Sequence, residues 1–252
     1  MAAGVTSDNI VGYNAMPIVA DGYNMFSVPF EGVGDNTGWK LNECLSGVNL
    51  TGAESDADAD WVMLWNPVTS IYENYFYYVE PTHEYDGWWD VATGNMMFED
   101  NYPNGLPAGS SFWYLAKAAT TGATATFAGQ VPAAETVAQT VNRGSYNLFA
   151  CPYPINLKLN DATQVSWGDA IGAEVDAEAD WIMLWNPTTS VYENYFYYVE
   201  PTHEYDGWWD VATGNMMFED NYPNGLEVGQ PFWYLAKGTA GETFTVTFKK
   251  TY

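Results

Sequence analysis

Basic residues are scarce in this chain. Seven Lys and Arg stand against 32 Asp and Glu, for a net charge of -25. Nucleic acid and anionic membrane surfaces are recognised through basic patches, so neither is an expected partner. No Lys or Arg occurs from Leu41 to Ala116, a segment with twelve acids. Most of those carboxylates must be solvated, hydrogen-bonded to backbone, or bound to cations. Long apolar runs are also missing: no stretch of eighteen residues is apolar enough to span a membrane as a helix. The opening MAAGVTSDNIVGY lacks the basic start and apolar core of a secretory leader, and a chain already relieved of its leader would look the same. Cysteine is limited to Cys44 and Cys151. One disulfide and two free buried thiols are both open.

Aromatic residues are abundant at 17%, within a hydrophobic content of 47%. That is ample material for a packed core, so the acidity does not imply a disordered tail. Much of it is repeated. Residues 59–117 match 179–237 at a fixed offset of 120, with seven differences in 59 positions. Upstream, GYNMFSVPF from Gly22 answers SYNLFACPY from Ser145, and KLNE from Lys40 answers KLND from Lys158. Downstream, GATATF from Gly122 answers GETFTVTF from Gly241. The expected plan is two tandem modules related by internal duplication, 1–128 and 129–252, and not a short-repeat solenoid.

The local pattern is β. WVMLWNP, IYENYFYYVE, SFWYLAKA and TFTVTFKK are short and rich in aromatic and β-branched residues. Gly, Pro, Asn and Asp punctuate them in DGW, ATGN and NYPNG. No segment sustains a helical apolar face over three turns, so helix is confined to short turns around LNECLSG or VSWGDAIG. The expected fold is all-β, each module a β-sandwich or small β-barrel. Alternation then has a consequence. Tyr75 and Tyr77 lie opposite Phe76 and Tyr78, and Trp61, Met63 and Trp65 lie opposite Val62 and Leu64. Such strands are apolar on both sides, and their outer faces need cover from long loops, the neighbouring module or another copy of the chain.

The landmarks GYNMFSVPF and SYNLFACPYP, MLWNPVTSIY and MLWNPTTSVY, then GLPAGSSFWYLAK and GLEVGQPFWYLAK come in a fixed order. This order resembles a module found in secreted and surface proteins of bacteria. There GWN-x-(I/V)-x-NP(Y/F) opens, (I/V)-x-x-(W/Y)(N/D)P follows, and PG-x-(G/A)FW(V/Y) precedes the closing strand. The resemblance covers most of both modules. The chain departs from it in having GYN or SYN for GWN, and in its long acidic-aromatic insert. What the resemblance implies is an exported, β-rich accessory or surface module with no established activity, and hence an extracellular or cell-surface location.

Several groups are candidates for chemistry. Asp86, Asp90, Glu99 and Asp100, with Asp206, Asp210, Glu219 and Asp220 in the repeat, could supply oxygen ligands to calcium. The acidic ladder from Asp56 to Asp60 could do the same, although a solvated turn is the plainer reading. High-salt adaptation would account for the acidity equally well. His83 and His203 have no HExxH-type spacing and read as structural. Adjacent tryptophans point opposite ways along a strand. One of Trp88 and Trp89 can therefore be core while its neighbour, beside Tyr85, is a sugar-stacking surface. Tyr85, Trp88, Trp89, Tyr205, Trp208 and Trp209 are the ligand-binding candidates, whereas Trp61, Trp65 and Trp113 fit core or interface better. No Ser-His-Asp order, GxSxG elbow, CxxC pair or phosphate loop occurs, so an enzyme is not expected.

The terminal stretches DNIVGYNAMPIV and ETFTVTFKKTY both look like strands. Each either pairs within its own module or offers an edge to a neighbouring copy. The leading expectation is an extracellular structural protein that acts through protein-protein contacts and self-assembles head-to-tail into filaments. A carbohydrate-binding protein with one aromatic site per module is the alternative. A secreted enzyme with paired carboxylates is a third.

Overall fold

The computed structural model describes residues 11–32, 38–45, 48–117 and 123–252. The first half contributes β1 (Val11–Pro17), β2 (Tyr23–Ser27), β3 (Trp61–Asn66), β4 (Ile71–Tyr78), β5 (Gly87–Asp90), β6 (Ser111–Leu115) and β7 (Thr124–Gln130). The second contributes β8 (Thr136–Asn142), β9 (Ser145–Phe149), β10 (Val165–Ser166), β11 (Trp181–Asn186), β12 (Val191–Tyr198), β13 (Gly207–Asp210), β14 (Phe232–Ala236) and β15 (Thr243–Lys249). Among the described residues helix is limited to single turns: α1 (Leu41–Cys44), α2 (Phe98–Asn101), α3 (Phe218–Asn221), and 3-10 turns at Asp56–Asp58 and Asp176–Glu178. Among the described residues no helix is long and apolar enough to cross a membrane.

The fold is all-β, and its sheets are open. Five antiparallel strands run β2-β6-β3-β4-β5 in the first half, and β9-β14-β11-β12-β13 in the second. Each large sheet faces a small one, β1-β7 or β10-β15-β8. This is a sandwich arrangement, and no sheet among the described residues closes into the barrel that the sequence left open. The repeated sequence keeps one register throughout: Trp61 pairs with Phe76 as Trp181 pairs with Phe196. The β3–β4 turn shows how local sequence sets that register. Asn66 Oδ1 accepts the amides of Val68 and Thr69, and Ser70 closes the turn at φ 55°.

Two separate cores fill the sandwiches. Phe26, Val62, Leu64, Trp88, Phe98, Phe112 and Phe127 belong to the first. Phe149, Ile182, Leu184, Trp208, Phe218, Phe232 and Phe248 belong to the second. Cys44 lies buried in the first core and Cys151 in the second, both as free thiols.

The outer faces meet each other. Trp65 packs edge-on against Trp233 at 5.4 Å, and Trp113 against Trp185 at 5.5 Å. These separations suit edge-to-face aromatic contact. Of the three possible covers, the neighbouring module thus supplies this one.

Two local expectations need correction. VSWGDAIG forms the short strand β10 followed by a turn, because Val165 and Ser166 pair with Phe248 and Thr247. Helical turns form instead at the two FEDN stretches, where Asp100 and Asp220 reach back to the amides of Met97 and Met217. LNECLSG does contain α1. The terminal strands pair within their own halves: β1 with β7, and β15 between β10 and β8. β15 therefore has a strand partner on each side, although β10 covers only Thr247 and Phe248. Lys249 and Lys250 donate their amides to Gln164 and Glu135. Residues 8–10 of the N-terminal stretch lie outside the described residues.

Candidate functional site

On the outer face of the first large sheet, register sets three rings side by side. Trp61 stands opposite Phe76, and Phe76 opposite Trp89. Strands lie about 4.8 Å apart, so the row spans roughly 10 Å. Both indoles are held by their N–H groups: Trp61 donates to the Asp56 carbonyl at 2.6 Å, and Trp89 to the Tyr85 carbonyl at 2.9 Å. Tyr78 leans on Trp89 at 5.6 Å and 60°. Phe76 is covered by its neighbours, whereas Trp61, Tyr78 and Trp89 remain half-buried and Tyr85 is 53% exposed. The second half repeats the row. Trp181, Phe196 and Trp209 are aligned, the indoles donate to Asp176 and Tyr205, and Tyr198 lies 5.4 Å from Trp209.

A stapled turn borders each row. Asp86 accepts the Glu80 amide at 3.2 Å through one carboxylate oxygen and meets His83 Nδ1 at 2.8 Å through the other. This holds His83 in the left-handed region at φ 57°, unusual for a bulky side chain. The His83 contact keeps the Asp86 carboxyl below its ordinary range. Asp206 and His203 repeat the staple at 2.7 Å. Burial pushes the Tyr78 hydroxyl up, and the nearby carboxylates of Glu80, Glu54 and Asp86 add to it. Each row is thus edged by hydrogen-bond acceptors, with His83 or His203 held by the carboxylate of its own turn.

The expected ligand residues divide as strand alternation requires. Trp89 and Trp209 belong to the rows, with Tyr85 and Tyr205 exposed beside them. Trp88 and Trp208 do not belong to the surface: both are wholly buried and touch Tyr77 and Tyr197 at 5.3 and 5.2 Å. They present no face to a ligand. Trp61, expected as core or interface, instead ends the surface row. Trp65 and Trp113 do lie at the interface.

The acids proposed for calcium are not gathered around one point. Asp90 accepts the amides of Ala92 and Thr93 with one oxygen and the Asn101 amide group with the other. Asp100 accepts the Met97 amide. Asp210 and Asp220 repeat these roles. Glu219 accepts two bonds from Asn160, while one oxygen of its counterpart Glu99 is sealed without a partner. The difference follows from chain path, because α1 replaces in the first half the turn that carries Asn160. Among the described residues, no three His, Cys, Asp or Glu side chains form a group able to hold a metal.

The acidic ladder contains a feature that its composition conceals. Asp58 is exposed, but Asp60 is buried. It accepts the Thr51 amide at 2.8 Å, the Lys117 amide at 2.7 Å and the Tyr114 hydroxyl at 2.6 Å. Asp180 repeats this with Ile171, Lys237 and Tyr234. Burial pushes the Asp180 carboxyl up, while these donors and Arg143 pull it back. Alternation could have signalled the role, since Asp60 shares a strand face with Val62 and Leu64.

No protein-family model, curated protein or solved structure matches the chain.

Proposed function

We propose that the protein is a non-enzymatic carbohydrate-binding protein of the cell exterior, with one aromatic row per module. The observation that carries this reading is the pair of pinned, half-buried indoles Trp61 and Trp89 flanking Phe76, repeated as Trp181 and Trp209 flanking Phe196. Indole faces stack on the apolar face of a sugar ring, and neighbouring carboxylates and tyrosine hydroxyls pair with its hydroxyl groups. The acidic edge favours neutral over anionic glycans. An exported location is supported by the landmark resemblance alone.

The test is an array of neutral glycans followed by calorimetry, with and without calcium. Trp89→Ala or Trp209→Ala should halve the number of sites, and the double variant should lose at least about tenfold in affinity, or roughly 1.4 kcal/mol. A parent that binds no glycan, or a folded double variant that binds normally, refutes the reading.

A second reading, structural self-assembly, is supported by a different observation. Among the described residues β1 has one strand partner, and it exposes Val11 at 65% and Tyr13 at 75%. Such an edge can accept a further strand. Electron microscopy tests it, and a strict monomer at high concentration opposes it.

A further inference from the structure

The contact between the two halves is made twice, with roles exchanged. Trp65 of the first half meets Trp233 of the second, and Trp185, the counterpart of Trp65, meets Trp113, the counterpart of Trp233. The turns before β6 and β14 behave in the same way. The Gly109 carbonyl accepts the Ala150 amide at 3.1 Å, and the Gly229 carbonyl accepts the Ser27 hydroxyl at 2.6 Å. Ser27 and Ala150 occupy the same place in the two repeats. Met16 and Gln139, which hold matching positions on β1 and β8, lie against Gly229 and Gly109 of the opposite half. A contact in which residue i meets j and the copy of j meets the copy of i is isologous, the form found in two-fold homodimers.

We propose that this face is a self-association surface: the first module of one copy seats on the second module of another, and the chain forms dimers by module exchange. Trp65, Tyr72 and Trp113 present the same residue types at the same register as Trp185, Tyr192 and Trp233. A partner module from a second chain therefore meets the surface that the resident module leaves. The two sets of strands are joined only by residues 131–135, of which 133–135 are exposed and able to act as a hinge. A short connection of this kind holds the resident module at an effective concentration on the order of millimolar. Exchange is accordingly favoured as the protein approaches that concentration. This inference does not depend on glycan binding.

Ser70 and Ser145 lie on opposite sides of the junction with their hydroxyl oxygens 3.3 Å apart, which supplies a test. A full chain carrying both Ser70→Cys and Ser145→Cys should oxidise within itself and keep monomer mass. Separate Ser70→Cys and Ser145→Cys chains, mixed and refolded together near millimolar concentration, should give the cross-linked heterodimer in severalfold excess over either homodimer. Adding Trp65→Ala and Trp113→Ala to the Ser70→Cys chain should reduce that excess to background. The proposal is overturned if the mixed chains give only random cross-links, or if the excess survives loss of the tryptophans. Failure of the double-cysteine chain to close would also overturn it, since the junction would then not be seated as described.

Discussion

Tyr234→Phe isolates one hydrogen bond in the second core. Its hydroxyl donates to Asp180 at 2.7 Å, both residues are fully buried, and the ring keeps its place against Trp167 and Trp208. Deleting the hydroxyl leaves no sizeable cavity but removes one of three donors to a buried carboxylate. A hydrogen bond to a charged group contributes about 1.5–3 kcal/mol. At about 2–4 °C per kcal/mol for a unit of this size, the melting temperature should fall by roughly 3–12 °C.

The pH dependence of this loss has a definite sign. The lost bond favours ionised Asp180, so the deficit is full at neutral pH and shrinks as pH falls through the folded value of that carboxyl. In the parent, burial raises this value above the ordinary 3.8. The contribution of Asp180 itself is therefore greatest below 3.8 and declines as pH rises through the folded value. Tyr114→Phe makes the same change in the first core and should cost the same, because Tyr114 meets Asp60 at 2.6 Å. Urea titrations by circular dichroism at several pH values would measure both. A loss under about 0.5 kcal/mol at pH 7, or a deficit that grows in acid, refutes the reasoning.

Two further outcomes are expected. Cys44 and Cys151 are buried, and burial raises both thiols, Cys151 to about 12, so neither should react with a thiol reagent at pH 8 until the chain is unfolded. Prompt labelling of either in the native protein would contradict the placement. Gly229→Ala should destabilise more than Gly214→Ala, although both sit at positive φ, 74° and 64°. A Cβ at Gly229 would strike Met16 and Asn14 across the junction, while one at Gly214 meets nothing within 4 Å. Strain alone costs about 1 kcal/mol, and overpacking adds about 1–3. Equal melting temperatures for the two variants would count against the seating of that turn.

Much of the fold is legible from residue alternation. The split of Trp88 from Trp89, and the need to cover Trp65 and Trp113, both follow from it. What alternation does not supply is the identity of the cover, since Trp65 reaches Trp233 through a junction that no local pattern encodes. Composition misleads more. DADAD looks uniformly solvated, yet its last residue is the most deeply engaged carboxylate of its half because the strand begins there. DGWWD and FEDN look like cation ligands, yet their acids cap turns and single-turn helices, a use governed by backbone geometry that charge content does not reveal. The Trp61–Phe76–Trp89 row lay outside reach for a related reason: its members come from three strands and meet only through cross-strand register.

The exchanged tryptophan contacts also bear on cooperativity. Unfolding either sandwich would uncover the aromatic face of the other, so each half holds part of its neighbour's stability. The chain should not melt as two beads on a string with independent transitions. In sequence the repeat marks two units, but the unit that gains or loses structure together is the pair.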